Sequence, residues 1–243
     1  MPLISIITVV YNSEKYIERT LQSIASQSGT DYEYIIIDGG STDATLSIIE
    51  KYKHIVSLLI SEPDKGLYDA MNKGLRAAKG KYVWYINSGD KLYNNDVIKN
   101  LEQCYALHSD ADIFYGQTQL VDEQNHVLGM RKKTAPEHLD ADSFKWGMVV
   151  CHQSILINKA IANEYNLNYK VDADYLWVLE ALEKSQKNVN TGMILSQYLE
   201  NGFSVKNRKK ANMERMKIMI SHYGFFATIW AHVKIALKYI QSK

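Results

Sequence analysis

The 243-residue chain has little cysteine, almost no net charge and no long apolar run. Its two cysteines, Cys104 and Cys151, are too far apart in sequence for a metal-binding pattern or a disulfide framework, and they favour a reducing compartment. Its 28 Lys and Arg residues are nearly matched by 27 Asp and Glu, for a formal net charge of +1. No global field therefore points to nucleic acid or to a strongly acidic partner. The opening MPLISIITVVYNSEKY has no basic segment ahead of its apolar run, and that run is too short to span a bilayer. It reads as a buried first strand, and the expected location is cytoplasmic. What remains is a globular composition, 46% hydrophobic and 23% charged, sized for one large α/β domain with or without an appendage. The 17 tyrosines suit core packing and polar-rimmed clefts alike.

Hydrophobic patterning predicts strands at Leu3–Val10, Tyr34–Ile37, Val56–Ser61 and Lys81–Ile86. Between them it predicts helices over Glu14–Gln27, with Asn12-Ser13 as cap, from Asp43 to about Tyr52, and over Leu67–Ala78. This β-α-β-α-β-α-β order implies a parallel α/β sheet, in which ligands bind beyond the carboxyl ends of the strands. Tyr11-Asn12, Asp38–Asp43, Glu62–Gly66 and Asn87–Asp90 all fall at those ends. Further on, the pattern predicts a helix over Asn94–His108 and separate strands at Ala111–Tyr115 and Gln117–Val121. Strands near His126–Arg131 and Met148–Ile157, a helix over Asp172–Lys184 and a last strand over 188–200 complete it.

Four stretches carry candidate chemistry. In Asp38-Gly-Gly-Ser-Thr-Asp43 the glycines admit close backbone approach, so Asp38 is the candidate ligand contact and Asp43 a structural helix-start residue. Glu62-Pro-Asp-Lys-Gly66 leads into a helix on which Asp69 and Asn72 share a face, and Asp69 also suits the positive end of that helix. Asn87-Ser-Gly-Asp90 ends a predicted strand abruptly and holds a single carboxylate. His152, inside an apolar run, is a core residue or a ligand. Of Asp172-Ala-Asp174, one carboxylate can cap a helix while the other faces a cleft, where it could serve as a general base; both also suit the helix dipole.

In this order, ISIITVVYNSEKYIERTLQSI, IIIDGGSTDAT and EPDKGLYDAMNKGLRAAKGKYVWYINSGD resemble the family 2 glycosyltransferases, in a version seen in bacterial surface-polysaccharide enzymes. The resemblance is dense over residues 3–92 and loose over 110–200. It implies a GT-A fold: a Rossmann-like, mostly parallel central sheet flanked by helices. Residues 1–204 would form the glycosyltransferase domain, with a nucleotide-binding half at 1–92 and an acceptor and catalytic half at 93–204. Residues 205–243 would be a helical tail. The implied reaction is inverting hexosyl or N-acetylhexosaminyl transfer from a nucleotide sugar, expected to be a UDP-sugar, to a glycan or lipid-linked acceptor. Asp38 would meet the nucleobase in a pocket shaped by Thr8, Val10 and Tyr11. Asp64, Lys65, Asp69 and Asn87 would line the donor cleft. Asp90, with His152 as a further ligand, would support Mn²⁺ or Mg²⁺ on the diphosphate, and Asp174 matches the position of the family's catalytic base. The chain departs from the family pattern at Asn87 and Gly89, where acidic ligands are usual, and at Asp172-Ala-Asp174, which replaces a Glu-Asp pair.

Lys206–Lys217 carries six Lys or Arg and one Glu, and residues 223–240 are rich in aromatic and aliphatic side chains. That pattern resembles a basic amphipathic helix lying on a membrane surface. A helix packed on the domain or on another subunit has the same composition. Two rival functions remain open at this level. One is a nucleotidyltransferase, although Val10–Lys15 lacks the glycine- and basic-rich loop such enzymes need. The other is a non-catalytic nucleotide or carbohydrate binder, which the retention of Asp38, Asp90 and Asp174 disfavours.

Overall fold

The structure, a computed structural model, describes residues 1–200 and 208–241. A nine-stranded sheet runs in the order β3-β2-β1-β4-β8-β6-β9-β5, with β7 added on β6. Its first half is parallel: β1 (Ile4–Val10) lies between β2 (Tyr32–Asp38) and β4 (Tyr82–Tyr85), and β3 (Leu58–Ser61) is the edge. In the second half β8 (Ile155–Asn158) runs antiparallel to both β4 and β6 (Ile113–Val121). There, β9 (Asn188–Leu199) runs parallel to β6, β5 (Lys91–Leu92) caps β9, and β7 (Val127–Met130) closes a hairpin.

Side chains alternate across each strand, so the sheet has two apolar faces. Ile7, Val9, Ile35, Ile37, Val83 and Tyr85 meet α3 (Leu67–Ala77) and α5 (Ala173–Lys184) on one face. Ile4, Ile6, Ile36, Trp84 and Ile86 share the other with residues of α1 (Ile17–Ala25), α2 (Thr45–Lys51) and α4 (Val97–Leu107). The chain ends in α6 (Arg208–Tyr223) and α7 (Phe225–Gln241), and Ile218, Met219 and Ala231 join the first core. Lys206, where the basic run begins, lies outside the described residues.

Three elements differ from expectation. Helix α1 starts at Ile17 without a side-chain cap. Asn12 and Ser13 are engaged in cross-loop bonds: Thr42 N–H donates to Asn12 Oδ1 (2.9 Å) and Ser13 N–H to Thr45 Oγ1 (2.8 Å). The two strands expected on either side of Gly116 are one strand, in which a Cβ at Gly116 would sit 2.5 Å from Met193 O. Glycine lets β6 and β9 approach closely there. The strand expected over Met148–Ile157 begins only at Ile155, because His152–Ser154 forms a 3-10 turn.

Candidate active site

The carboxyl ends of β1, β2 and β3 lie side by side, Val10 beside Asp38 and Asp38 beside Ser61, and the loops just beyond them form the candidate donor pocket. Tyr11, just past β1, is 64% exposed. A Cβ at Gly39 would lie 2.9 Å from Asp64 Oδ2 and 3.3 Å from the Tyr11 ring, so the glycine keeps open the space between them. Asp64 is anchored from α3 by Lys73 (2.6 Å). Asp38 lies beneath, fully buried, and builds the turn. Its oxygens accept Gly40 N–H (3.1 Å), Ser41 N–H (3.0 Å), Ser41 Oγ (2.5 Å) and Ser61 Oγ (2.7 Å). Any ligand bond to Asp38 would share oxygens already used by these four donors. Asp43 is structural, accepting Glu14 N–H (3.1 Å) and Thr45 N–H (3.0 Å).

Thr8 and Val10 do not line the pocket. Thr8 is fully buried and donates to Ile86 O (2.6 Å), tying β1 to β4, while Val10 is 5% exposed within the core. Asp69 accepts Lys65 N–H (2.9 Å) at the start of α3, the local role that its position at the helix's positive end allowed. Lys65 itself is exposed at this edge.

The Asn87–Asp90 loop follows β4. Asp90 is 4% exposed, and both oxygens are engaged: Oδ1 accepts Leu199 N–H (2.9 Å) and Oδ2 accepts Gln153 Nε2 (2.9 Å). Burial pushes its carboxyl up to about 7, against the pull of these bonds and of Arg19. Gly89 has φ +98°, and a Cβ there would press within 2.9 Å of Leu199 Cδ2. A second carboxylate at position 89 would therefore meet both a strained backbone and a clash. Asn87 Oδ1 is buried with no partner among the described residues, the open acceptor of this loop.

His152 is 4% exposed, with Nε2 2.8 Å from Tyr165 Oη and its ring stacked on Tyr85 at 5.3 Å. Burial lowers its pKa to about 3, so the imidazole is neutral. Among the described residues no group of three or more His, Cys, Asp and Glu side chains converges to hold a metal ion. Mn²⁺ and Mg²⁺ need several oxygen ligands. One buried carboxylate with both oxygens engaged, beside a histidine packed among aromatic rings, does not fit a divalent ion held by the protein.

At the start of α5 the two aspartates are held in opposite ways. Asp172 is 3% exposed and paired to Arg215 of α6 through Nε–Oδ2 (2.7 Å) and Nη2–Oδ1 (2.5 Å). Burial pushes its carboxyl up to about 6 despite that partner. Asp174 is half-buried, and its bonds from Tyr175 N–H (2.9 Å) and Tyr68 Oη (3.3 Å) both fall on Oδ1. Burial raises its pKa, with Arg215 the leading opposing influence. The single Tyr68 hydroxyl proton is shared with Val171 O, the shorter contact at 2.6 Å, and the Tyr68 ring stacks on Tyr165 at 5.5 Å. Tyr68 lies on the helix whose entry loop carries Asp64 and Lys65, so α3 links the pocket to the Asp174 turn.

Gln153, Tyr165, Glu214 and Arg215 were not singled out by sequence reasoning. Glu214 left one signal: it is the only acidic residue in the basic run Lys206–Lys217.

Comparisons with known proteins give the family and the fold. The family model described as glycosyl transferase family 2 matches residues 5–179. The Mycobacterium tuberculosis (strain ATCC 25177 / H37Ra) PGL/p-HBAD biosynthesis glycosyltransferase is 30% identical over 180 residues, covering 72% of this chain and 67% of that protein. TuaG of Bacillus subtilis, described as a candidate teichuronic acid biosynthesis glycosyltransferase, is 26% identical over 249 residues, covering 100% of this chain and 98% of that one. S. aureus TarS superposes with a TM-score of 0.70 at 20% identity, over 90% of this chain and 40% of TarS. The fold is thus that of TarS, although the chain spans less than half of it. With the family model matched over most of the chain and a relative 30% identical across two thirds of its own length, the chain belongs to glycosyl transferase family 2.

Proposed function

We propose that the chain moves a sugar from a nucleotide-sugar donor, a UDP-sugar, to a hydroxyl of a glycan or lipid-linked acceptor, with inversion at the anomeric carbon. The observation that carries this reading is Asp174: a half-buried carboxylate of raised pKa, with both bonds from other residues on Oδ1, and tied by Tyr68 to the helix that leaves the strand-end pocket. The acceptor oxygen attacks the anomeric carbon as the bond to the diphosphate oxygen breaks. The diphosphate leaves with the electron pair, and Asp174 Oδ2 takes the acceptor's proton. A raised pKa makes this carboxylate a stronger base for the acceptor's proton. Tyr11, Gly39 and Asp64 bound the nucleobase pocket, Asn87 Oδ1 is open to a donor group of the nucleotide sugar, and Lys65 is available to the leaving diphosphate. Support for a UDP-sugar comes from TarS, whose 1–349 fragment has been crystallised with UDP (TM-score 0.69, 20% identity, 90% of this chain and 64% of that one) and with UDP-GlcNAc (TM-score 0.67, 18% identity, 90% and 66%).

A lipid-linked acceptor would place the enzyme at the inner face of the cell membrane, and α7 supplies a surface for that. Phe225, Phe226, Ile229, Trp230, Val233 and Leu237 are exposed, with Lys234 5.0 Å from the Trp230 ring centre. Among the described residues no helix is long and apolar enough to cross a membrane; the role proposed for α7 is to lie on the membrane surface.

The reaction is tested by incubating the protein with UDP-glucose, UDP-galactose or UDP-N-acetylglucosamine together with a lipid-linked glycan acceptor, and following nucleotide release and the glycosidic product by NMR. Release of UDP from one donor with a β-configured product from the α-linked donor is expected. An α-configured product would refute inversion, and no release from any of the three would remove the UDP-sugar reading.

A further inference from the structure

Helix α6 grips the turn that carries the proposed base. Glu214 is 8% exposed and faces three successive backbone donors: Lys170 N–H lies 3.0 Å from both oxygens, Val171 N–H 2.9 Å and Asp172 N–H 3.1 Å from Oε2. These residues immediately precede α5. Asp172, its N-cap residue, makes no capping bond with its own side chain. A carboxylate from another helix thus binds the backbone leading into α5, rather than the first-turn N–H groups that a local cap would take. The neighbouring residue, Arg215, holds the Asp172 side chain with a two-point fork, and its guanidinium lies 5.0 Å from the Tyr175 ring centre. One dipeptide of α6 therefore holds the backbone of 170–172 and the side chain of 172, and Tyr68 holds Val171 O from the other side.

Neither Glu214 nor Arg215 hydrogen-bonds to Asp174. Asp174 follows the gripped segment by two residues, so its direction depends on where residues 170–172 are held. We propose that Glu214 and Arg215 are positioning residues for sugar transfer, setting the orientation of Asp174 by clamping the Lys170–Asp172 turn. The proposal rests on the reading of Asp174 as the base. Arg215 has a second effect, because its charge opposes the burial that raises the Asp174 pKa. The other titratable groups around Asp174 are Tyr68 from α3, Tyr165 from the segment before α5, Asp172 and Tyr175 on its own element, and Glu214 from α6.

The test uses the full chain and the UDP-sugar that gives the fastest nucleotide release. Wild-type release and its loss in Asp174→Asn establish the parent reading first; if either is missing, that reading fails. With both in hand, Glu214→Ala and Arg215→Ala are each expected to lower kcat by about tenfold or more, as a misdirected reacting group does. UDP affinity by calorimetry should stay at the wild-type value. Glu214→Gln keeps an acceptor oxygen and should recover most of the kcat lost in Glu214→Ala. In Arg215→Ala the acidic limb of the pH–rate profile should also move to higher pH, while Arg215→Lys keeps the charge, loses the fork, and should lower kcat without moving that limb. Wild-type kcat in folded Glu214→Ala and Arg215→Ala would overturn the proposal, as would a loss of kcat that only tracks lost UDP binding. Should the alanine variants not fold, Arg215→Lys decides: reduced kcat at unchanged UDP affinity supports the clamp, and wild-type kcat overturns it.

Discussion

Helices α6 and α7 follow one another with only Gly224 between them, yet their composition and their surroundings run in opposite directions. The first begins in a basic, polar run, and its Glu214 is 8% exposed, bound to the backbone that leads into α5. The second is aromatic and aliphatic, and its Phe226 and Trp230 are 87% and 60% exposed. Glu214 and Arg215 of α6 are drawn inward because the segment leading into α5 offers N–H groups and a buried carboxylate that need charged partners, while Lys209, Lys210 and Lys217 stay exposed. The apolar side chains of α7 have no such claim on them. Composition indicates what a helix can bind; the groups it meets decide which side chains it buries.

The largest expected effect separates the two helices. A chain ending at residue 207 leaves Asp172 buried without Arg215, a loss of about 3–5 kcal/mol for an unpaired buried charge, and uncovers the core around Ile218 and Met219. It should lose its cooperative thermal transition and its nucleotide release together. A chain ending at Gly224 keeps the clamp and should retain nucleotide release with a modestly lower Tm, because Thr228 and Ala231 are lost from packed positions. Equal melting of the two truncated chains would erase the contrast between the helices.

A smaller effect sharpens the other side of the comparison. Phe226→Glu with Trp230→Glu should leave melting and nucleotide release unchanged and abolish co-sedimentation with anionic vesicles, since both side chains are mostly in solvent. Unchanged vesicle binding would exclude the α7 face as the contact. Failure of the wild-type chain to bind vesicles would make that face an apolar surface for something other than lipid.

The same contrast explains what sequence could and could not reveal. The first ninety residues were legible because their signals are local: β-branched runs, glycines at strand ends and helical spacing all point to one topology. The Asp38 turn was located correctly, but the bonds that occupy its carboxylate come from Ser61 as well as from its own loop. Thr8 and Val10 belong to the right strand but are buried with the rest of β1, whose two faces are both covered; Tyr11, past the strand's end, is the first exposed residue beyond it. Asp90 follows β4 and His152 precedes β8, the neighbour of β4 in the sheet. What sequence could not convey is that Leu199, Gln153 and Tyr165, far away along the chain, already satisfy them. Asp172 and Asp174 look alike in sequence, and only Arg215, 43 residues on, makes one a structural anion and leaves the other open.

The central claim is that Asp174 takes the acceptor's proton. Its most direct test is kcat/KM for Asp174→Asn against wild type across pH, with UDP affinity measured alongside. The predicted result is a loss of about 10²–10⁴-fold with UDP affinity preserved, as for removal of a general base. The wild-type rate should rise with pH along an acidic limb lying above the ordinary carboxylate range, because burial raises the Asp174 pKa. An Asp174→Asn enzyme that turns over at the wild-type rate, or a wild-type profile flat through that limb, would contradict it.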